Sequence, residues 1–173
     1  MKHFTLALMM AAGAAFAQPA NDDCDFAESI AGFGNFAYDT TDATDSGFPE
    51  DNIPADVWFF WTAEMTSTVN VSTCGNATWD TMLAVYSGDC FDAFELDYND
   101  DACALQSEVE FSATAGQTYL IRAGGFDGAT GAASLTIAEG GLPYTIIYSE
   151  YNPDTDKTYT LVQVDDIQGV QAA

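Results

Sequence analysis

Apolar positions fall in short runs separated by turn residues, and no long window keeps a helical period. Val57-Trp58-Phe59-Phe60-Trp61 is a dense aromatic run. The stretches Thr68 to Thr73, Met82 to Ser87, Glu108 to Ser112, Thr118 to Ala123 and Ala133 to Ala138 alternate or run apolar with β-branched residues. Each reads as a strand. Gly75-Asn76, Ser87-Gly88-Asp89, Asn99-Asp100-Asp101, Ala115-Gly116-Gln117 and Gly124-Gly125-Phe126-Asp127-Gly128 punctuate them. That spacing predicts an all-β antiparallel sandwich. Asp23 to Ile30 reads as a short helical turn, with Phe26, Ala27 and Ile30 on one face. Asp39 to Asp56, with Asp42, Asp45, Glu50 and Asp51 among Thr, Gly and Pro, reads as a solvated acidic loop. Beyond Gly140-Gly141-Leu142-Pro143, Tyr144 to Tyr151 and Thr158 to Val164 look like two strands of a hairpin. The predicted organisation is a leader over 1–17, a sandwich over 18–138 and a hairpin extension over 139–173.

The leader follows from Lys2, the apolar run Phe4 to Phe16 and the small-x-small triplet Ala15-Phe16-Ala17, which predict a secretory signal peptide cleaved before Gln18. The run is short for a membrane span, and no other segment approaches the roughly 18 apolar residues one needs. The expected compartment is therefore the cell exterior or the periplasm.

Charge narrows the function classes. The chain of 173 residues has 27 Asp+Glu against 3 Lys+Arg and one His. Cleavage would remove Lys2 and His3 and leave 27 acidic residues against Arg122 and Lys157, a net charge of −25. Such a surface repels phosphate backbones and anionic lipid, so neither nucleic acid nor a membrane is an expected partner. Without histidine, Ser-His-Asp and Cys-His mechanisms and imidazole zinc sites are excluded. Paired carboxylates are the remaining acid/base apparatus, as in a glycoside hydrolase, and no pair is marked by sequence as buried and perturbed.

Cys24, Cys74, Cys90 and Cys103 are an even number in an exported chain, so disulfides are expected. Cys90 and Cys103 bracket a short segment between two strand-like runs, which favours Cys90–Cys103 and leaves Cys24–Cys74 to tie down the N-terminal arm.

Six motifs follow in one order: Asn21-Asp22-Asp23-Cys24, Asp56-Val57-Trp58-Phe59, Val71-Ser72-Thr73-Cys74-Gly75, Trp79-Asp80-Thr81-Met82-Leu83-Ala84-Val85-Tyr86, Asn99-Asp100-Asp101-Ala102-Cys103 and Ala115-Gly116-Gln117-Thr118-Tyr119-Leu120-Ile121-Arg122. Together, over about residues 21–138, they resemble the bacterial pre-peptidase C-terminal domain family in its Cys-containing, exported form. The resemblance implies a jelly-roll or CUB-like β-sandwich and a non-catalytic role in export, substrate engagement or attachment.

The same segments offer two candidate sites. Ca²⁺ takes six to eight oxygen ligands, and Asn21, Asp22, Asp23, Asp80, Asn99, Asp100 and Asp101 supply oxygens in turn-prone segments. Asp80, Asn99, Asp100 and Asp101 are the expected ligands, set against a plain solvated acidic surface with Asx-turns. A partial EF-hand pattern from Asp154 to Asp165 lacks the required glycine, since Tyr159 stands there. If Val57, Phe59 and Trp61 face the core, Trp58 and Phe60 lie on the other face, where with Trp79 they would stack on a sugar ring or a protein partner. The alternative is that this strand is central and covered on both sides. Arg122, amid excess carboxylate, is expected in a structural ion pair. The functional expectation is a secreted, non-catalytic binding or adhesion module for polysaccharide or a cell-surface protein, with Ca²⁺ as its cofactor. The competing readings are an acidic structural or matrix protein and a carboxylate-dependent hydrolase.

Overall fold

The computed structural model describes residues 18–47, 53–140, 144–153, 155 and 157–164. The leader, Glu50, Asp51, Asp154, Asp156 and Asp165 lie outside the described residues. Among the described residues, eleven strands form three antiparallel-dominated sheets. Strands β1 (Glu28–Ala31), β3 (Asp56–Thr62), β8 (Thr118–Gly125), β5 (Thr81–Ser87) and β6 (Phe94–Asn99) make one sheet in the order β1-β3-β8-β5-β6. Strands β2 (Gly34–Asp39), β9 (Ala132–Gly140), β4 (Ser67–Ser72) and β7 (Glu108–Ala113) make the second, in the order β2-β9-β4-β7. β10 (Tyr144–Asn152) and β11 (Lys157–Val164) pair as a separate hairpin. Among the described strands, only β1 runs parallel to its neighbour. The architecture is the expected β-sandwich.

Alternation along each strand builds the core between the sheets. Val57, Phe59 and Trp61 of β3, Leu83 and Val85 of β5 and Ile121 of β8 meet Val69 and Val71 of β4, Val109 and Phe111 of β7, and Leu135 and Ile137 of β9. β7 keeps the period-2 signature of a strand with one wet face, and its Glu108, Glu110 and Ser112 are exposed. β3, β5 and β8 differ, because nearly every residue in them is buried. Their outward side chains Trp58, Met82, Ala84, Tyr86 and Leu120 form a second apolar layer with Cys24 and Ile53. The N-terminal arm and the turn around Cys90 lie over it.

Three expectations change here. The helical turn is confined to one 3-10 turn at Cys24–Phe26, and the chain then extends into β1. The strand read to Ala123 continues through Gly125, because Gly124 pairs with Asp56 and Met82 and Gly125 with Thr81, and the chain at 53–55 comes close to Gly124. A Cβ on Gly124 would collide with the Ile53 side chain and the Ala55 carbonyl. The disulfide pairing is also corrected: the bonds are Cys24–Cys90 and Cys74–Cys103, with Cα separations of 5.8 and 5.9 Å. The segment between Cys90 and Cys103 contains β6, whose six residues advance about 20 Å. That strand carries the two cysteines to opposite ends of the sheet, each to a different partner.

The acidic loop is likewise not uniformly solvated. Asp56 opens β3 on its outward face and is fully buried, as is Arg122, which sits opposite Trp58 in the β3–β8 register. Diagonal neighbours on one sheet face are within reach of a long side chain. Arg122 Nε donates to Asp56 Oδ2, its Nη2 donates to the Ile53 carbonyl at 3.1 Å, and its guanidinium lies 5.2 Å from the Trp58 ring centroid. Asp56 also accepts from Ser46 N at 3.1 Å and Ser46 Oγ at 2.7 Å. This is the structural ion pair expected of Arg122.

Removing one member of a buried pair strands the other charge. Arg122→Met should therefore cost about 3–5 kcal/mol of unfolding free energy in a denaturant melt, and Arg122→Met with Asp56→Leu should recover a large part of it. A double variant no more stable than the single would refute this account of the pair. Peptide mapping of the non-reduced chain should yield only 24–90 and 74–103 cross-linked fragments; a 90–103 fragment would contradict the placement of β6.

Candidate cation site

Asp80 immediately precedes β5, and Asp100 and Asp101 immediately follow β6. The antiparallel register pairs Leu83 with Asn99, so the entrance of β5 and the exit of β6 lie at one end of the sheet. One oxygen from each of Asp80, Asp100 and Asp101 falls within 4.8 Å of the others. Among the described residues this is the grouping of three acidic, Cys or His side chains within common ligand reach. Asp80 Oδ1 and Asp100 Oδ1 are both shielded from solvent and accept no hydrogen bond. Burial pushes the Asp100 carboxyl above its ordinary value, and the charges of Asp101 and Asp80 push it the same way.

A buried hydroxyl network fixes the loops beneath these carboxylates. Thr73 Oγ1 and Thr81 Oγ1 lie 2.6 Å apart, and Ser107 N donates to them at 3.0 and 3.1 Å. Ser107 Oγ is within hydrogen-bond reach of the Thr81 carbonyl and of the Asp100 carbonyl, the latter at 2.9 Å. Thr81 N donates to the Leu105 carbonyl at 2.8 Å and Phe126 N to the Asp80 carbonyl at 3.2 Å. The Cys74–Cys103 disulfide closes the same end. Three carboxylates are thus brought together by loops that hydrogen bonds and a disulfide tie to one another. An all-oxygen donor set of three carboxylates suits a hard divalent cation.

The remaining sequence candidates lie elsewhere. Asn99 turns its Oδ1 toward Glu108 N at 3.3 Å, across to β7. Asn21 Nδ2 donates to the Trp58 carbonyl at 3.0 Å, and Asp22 accepts from Thr44 N at 2.7 Å and Thr44 Oγ1 at 2.6 Å. These residues fasten the N-terminal arm, and Asp23 is exposed beside them.

The aromatic candidates are corrected more sharply. Trp58 has 0% exposure and packs on Tyr86 and Arg122, so it offers no stacking surface. Phe60 packs partly buried against the same outer layer. Trp79 is half-buried against the inter-sheet core: its edge meets Tyr38 at a centroid distance of 6.3 Å, its Nε1 donates to the Ala132 carbonyl at 3.2 Å, and it occupies the space where Gly131 would carry a side chain. Strand alternation was read correctly, but the outward face is covered. Sequence reasoning missed Ser107 and Thr73, whose hydroxyls carry no signal until three loops converge.

No protein-family model matches the chain, and no curated protein matches it. Among solved structures, it is similar to the pre-peptidase C-terminal domain of a collagenase from Bacillus anthracis, at 14% identity and a TM-score of 0.45, over 65% of this chain and 94% of that one.

The sign of the Asp100 shift gives a test. A carboxyl raised in the fold costs more to ionise there than in the unfolded chain, so stability falls as pH rises from the ordinary carboxylate value through the folded one. In chelator, Asp100→Asn should raise Tm at pH 7, and its advantage should shrink toward pH 4. Glu28→Gln, an exposed carboxylate outside the cluster, serves as the control for general charge relief. Equal gains from both variants would refute a local repulsion.

Proposed function

We propose that the protein is a secreted, non-catalytic β-sandwich module that engages a polysaccharide or a protein at the cell exterior, with Ca²⁺ held by Asp80, Asp100 and Asp101 as a structural cofactor. The observation that carries the calcium reading is the pair of shielded, unpartnered carboxylate oxygens at the centre of a three-aspartate cluster. Buried polar atoms in folded proteins nearly always have a partner, and a divalent cation would satisfy both oxygens while removing the repulsion among three charges. The two disulfides support an oxidising, extracellular setting. Bound Ca²⁺ would neutralise charge and lock the β5 entrance to the β6 exit. Asp80, Asp100 and Asp101 would each supply a carboxylate oxygen to it, with the Asp100 backbone held through its carbonyl by Ser107.

A thermal melt at fixed ionic strength, first in EDTA and then with Ca²⁺ or Mg²⁺, tests this reading. Constant ionic strength separates binding from screening of a strongly negative chain. A ligand at 100 times its Kd adds about 2.7 kcal/mol, which moves Tm by several degrees in a domain of this size. The expected result is a saturable, Ca²⁺-selective rise that disappears in Asp100→Asn with Asp101→Asn. An equal rise with Mg²⁺, or a rise that survives the double substitution, would sink the calcium reading.

A further inference from the structure

A second feature lies away from the aspartate cluster, around the Cys24–Cys90 disulfide. Phe91 is 91% exposed and Phe26 69% exposed. Isolated exposed apolar residues are ordinary, but these two line one pocket of about 330 Å³ together with Asp23, Asp25, Ser46 and the disulfide itself. Their backbones are fixed. Phe26 N donates to the Asp23 carbonyl at 2.9 Å in the 3-10 turn, and Phe91 N donates to Asp89 Oδ1 at 2.9 Å. The disulfide bonds the two turns to each other. The rings are therefore presented on a cross-linked base, which lowers the entropy lost when a partner docks.

The chemistry of the rim points to the occupant. Asp23 and Asp25 are exposed and line the pocket, and Asp92 is exposed beside Phe91. The chain has three Lys+Arg residues in all, and Arg122 is buried against Asp56. We propose that this pocket is a docking site for a basic segment of another polypeptide, which inserts a Lys or Arg. The aliphatic stem and cationic head of that side chain would lie over the Phe26 and Phe91 rings, with Asp23 and Asp25 taking the charge. The net charge of −24 would steer such a partner from a distance, and the rings would select the place of contact. The proposal rests on the reading of the chain as a binding module, but it makes no use of calcium.

The test is fluorescence anisotropy of a labelled 12-residue peptide of Arg-Ala-Leu repeats, titrated with the full oxidised chain in 0.15 M salt, once with Ca²⁺ and once with EDTA. Saturable binding is expected in both media and should vanish when citrulline replaces each Arg. Phe91→Leu, which keeps apolar area and removes the aromatic face, should weaken binding about 2- to 5-fold. Phe26→Ser and the double Asp23→Asn, Asp25→Asn should each weaken it further, while melts of both variants beside Glu28→Gln, the control for general charge relief, should show a retained cooperative fold because these side chains are exposed. Phe94→Ser removes an equally exposed ring that does not line the pocket and should leave binding intact. Absent binding, equal loss in Phe94→Ser, or no loss in the Phe and Asp variants would overturn the proposal. A failed calcium melt leaves this experiment untouched, so the two readings fall separately.

Discussion

Three adjacent strands, β3, β8 and β5, are buried on both faces, and a two-layer sandwich supplies a cover for only one of them. The second face holds Trp58, Met82, Ala84, Tyr86 and Leu120, and burying large side chains of this kind is worth roughly 1.5–3 kcal/mol each. The N-terminal arm and the chain around Ile53 must therefore lie across the sheet. Each of the polar bonds buried there pins that cover in place. Asp22 holds Thr44, Asn21 holds the Trp58 backbone, and Cys24 is bonded to Cys90. Arg122 joins the sheet to the cover by bonding Asp56 in β3 and the Ile53 carbonyl above it, while Asp56 reaches on to Ser46.

This arrangement explains why so acidic a chain folds around a buried arginine. An isolated ion in the interior is costly, and the guanidinium is retained where a carboxylate, a carbonyl and an aromatic face all meet it. Burial raises the Asp56 carboxyl, while Arg122 and Ser46 act in the opposite direction. The pair serves as a register device, since a shift of one residue in β3 against β8 would separate Asp56 from Arg122 and turn Trp58 toward the inter-sheet core.

The two disulfides sit at different places on the five-stranded sheet, Cys74–Cys103 at the end where β5 begins and Cys24–Cys90 over the outward face. Cys74–Cys103 and the Thr73–Thr81–Ser107 network gather three aspartates at the entrance of β5. Cys24–Cys90 gathers two exposed phenylalanines and an acidic rim beside the cover. In both places a cross-link brings residues distant in the chain onto one surface.

Much of the fold was legible because it rests on local chemistry. Alternating β-branched and aromatic residues between glycine and aspartate turns mark β3, β4, β5, β7, β8 and β9, and they imply a sandwich without further information. β1, β2 and β6 were not legible, since Phe94-Glu95-Leu96-Asp97-Tyr98-Asn99 mixes poor strand formers into an edge strand that needs only one neighbour. Missing β6 was enough to misassign both disulfides. Asp80, Asp100 and Asp101 stood out as oxygen donors in turns, yet only the β5–β6 pairing brings them together, and the same pairing sends Asn99 elsewhere. The fate of Trp58 and Asp56 was likewise beyond the sequence, because burial depends on what crosses a strand's outer face. By itself, then, the sequence determined strand identity, charge and the supply of ligand atoms, which are properties of neighbouring residues. The tertiary structure alone decided which cysteines meet, which carboxylates converge and which aromatics see water, because these depend on strand order and on a cover that includes Asn21, 37 residues before the Trp58 it crosses.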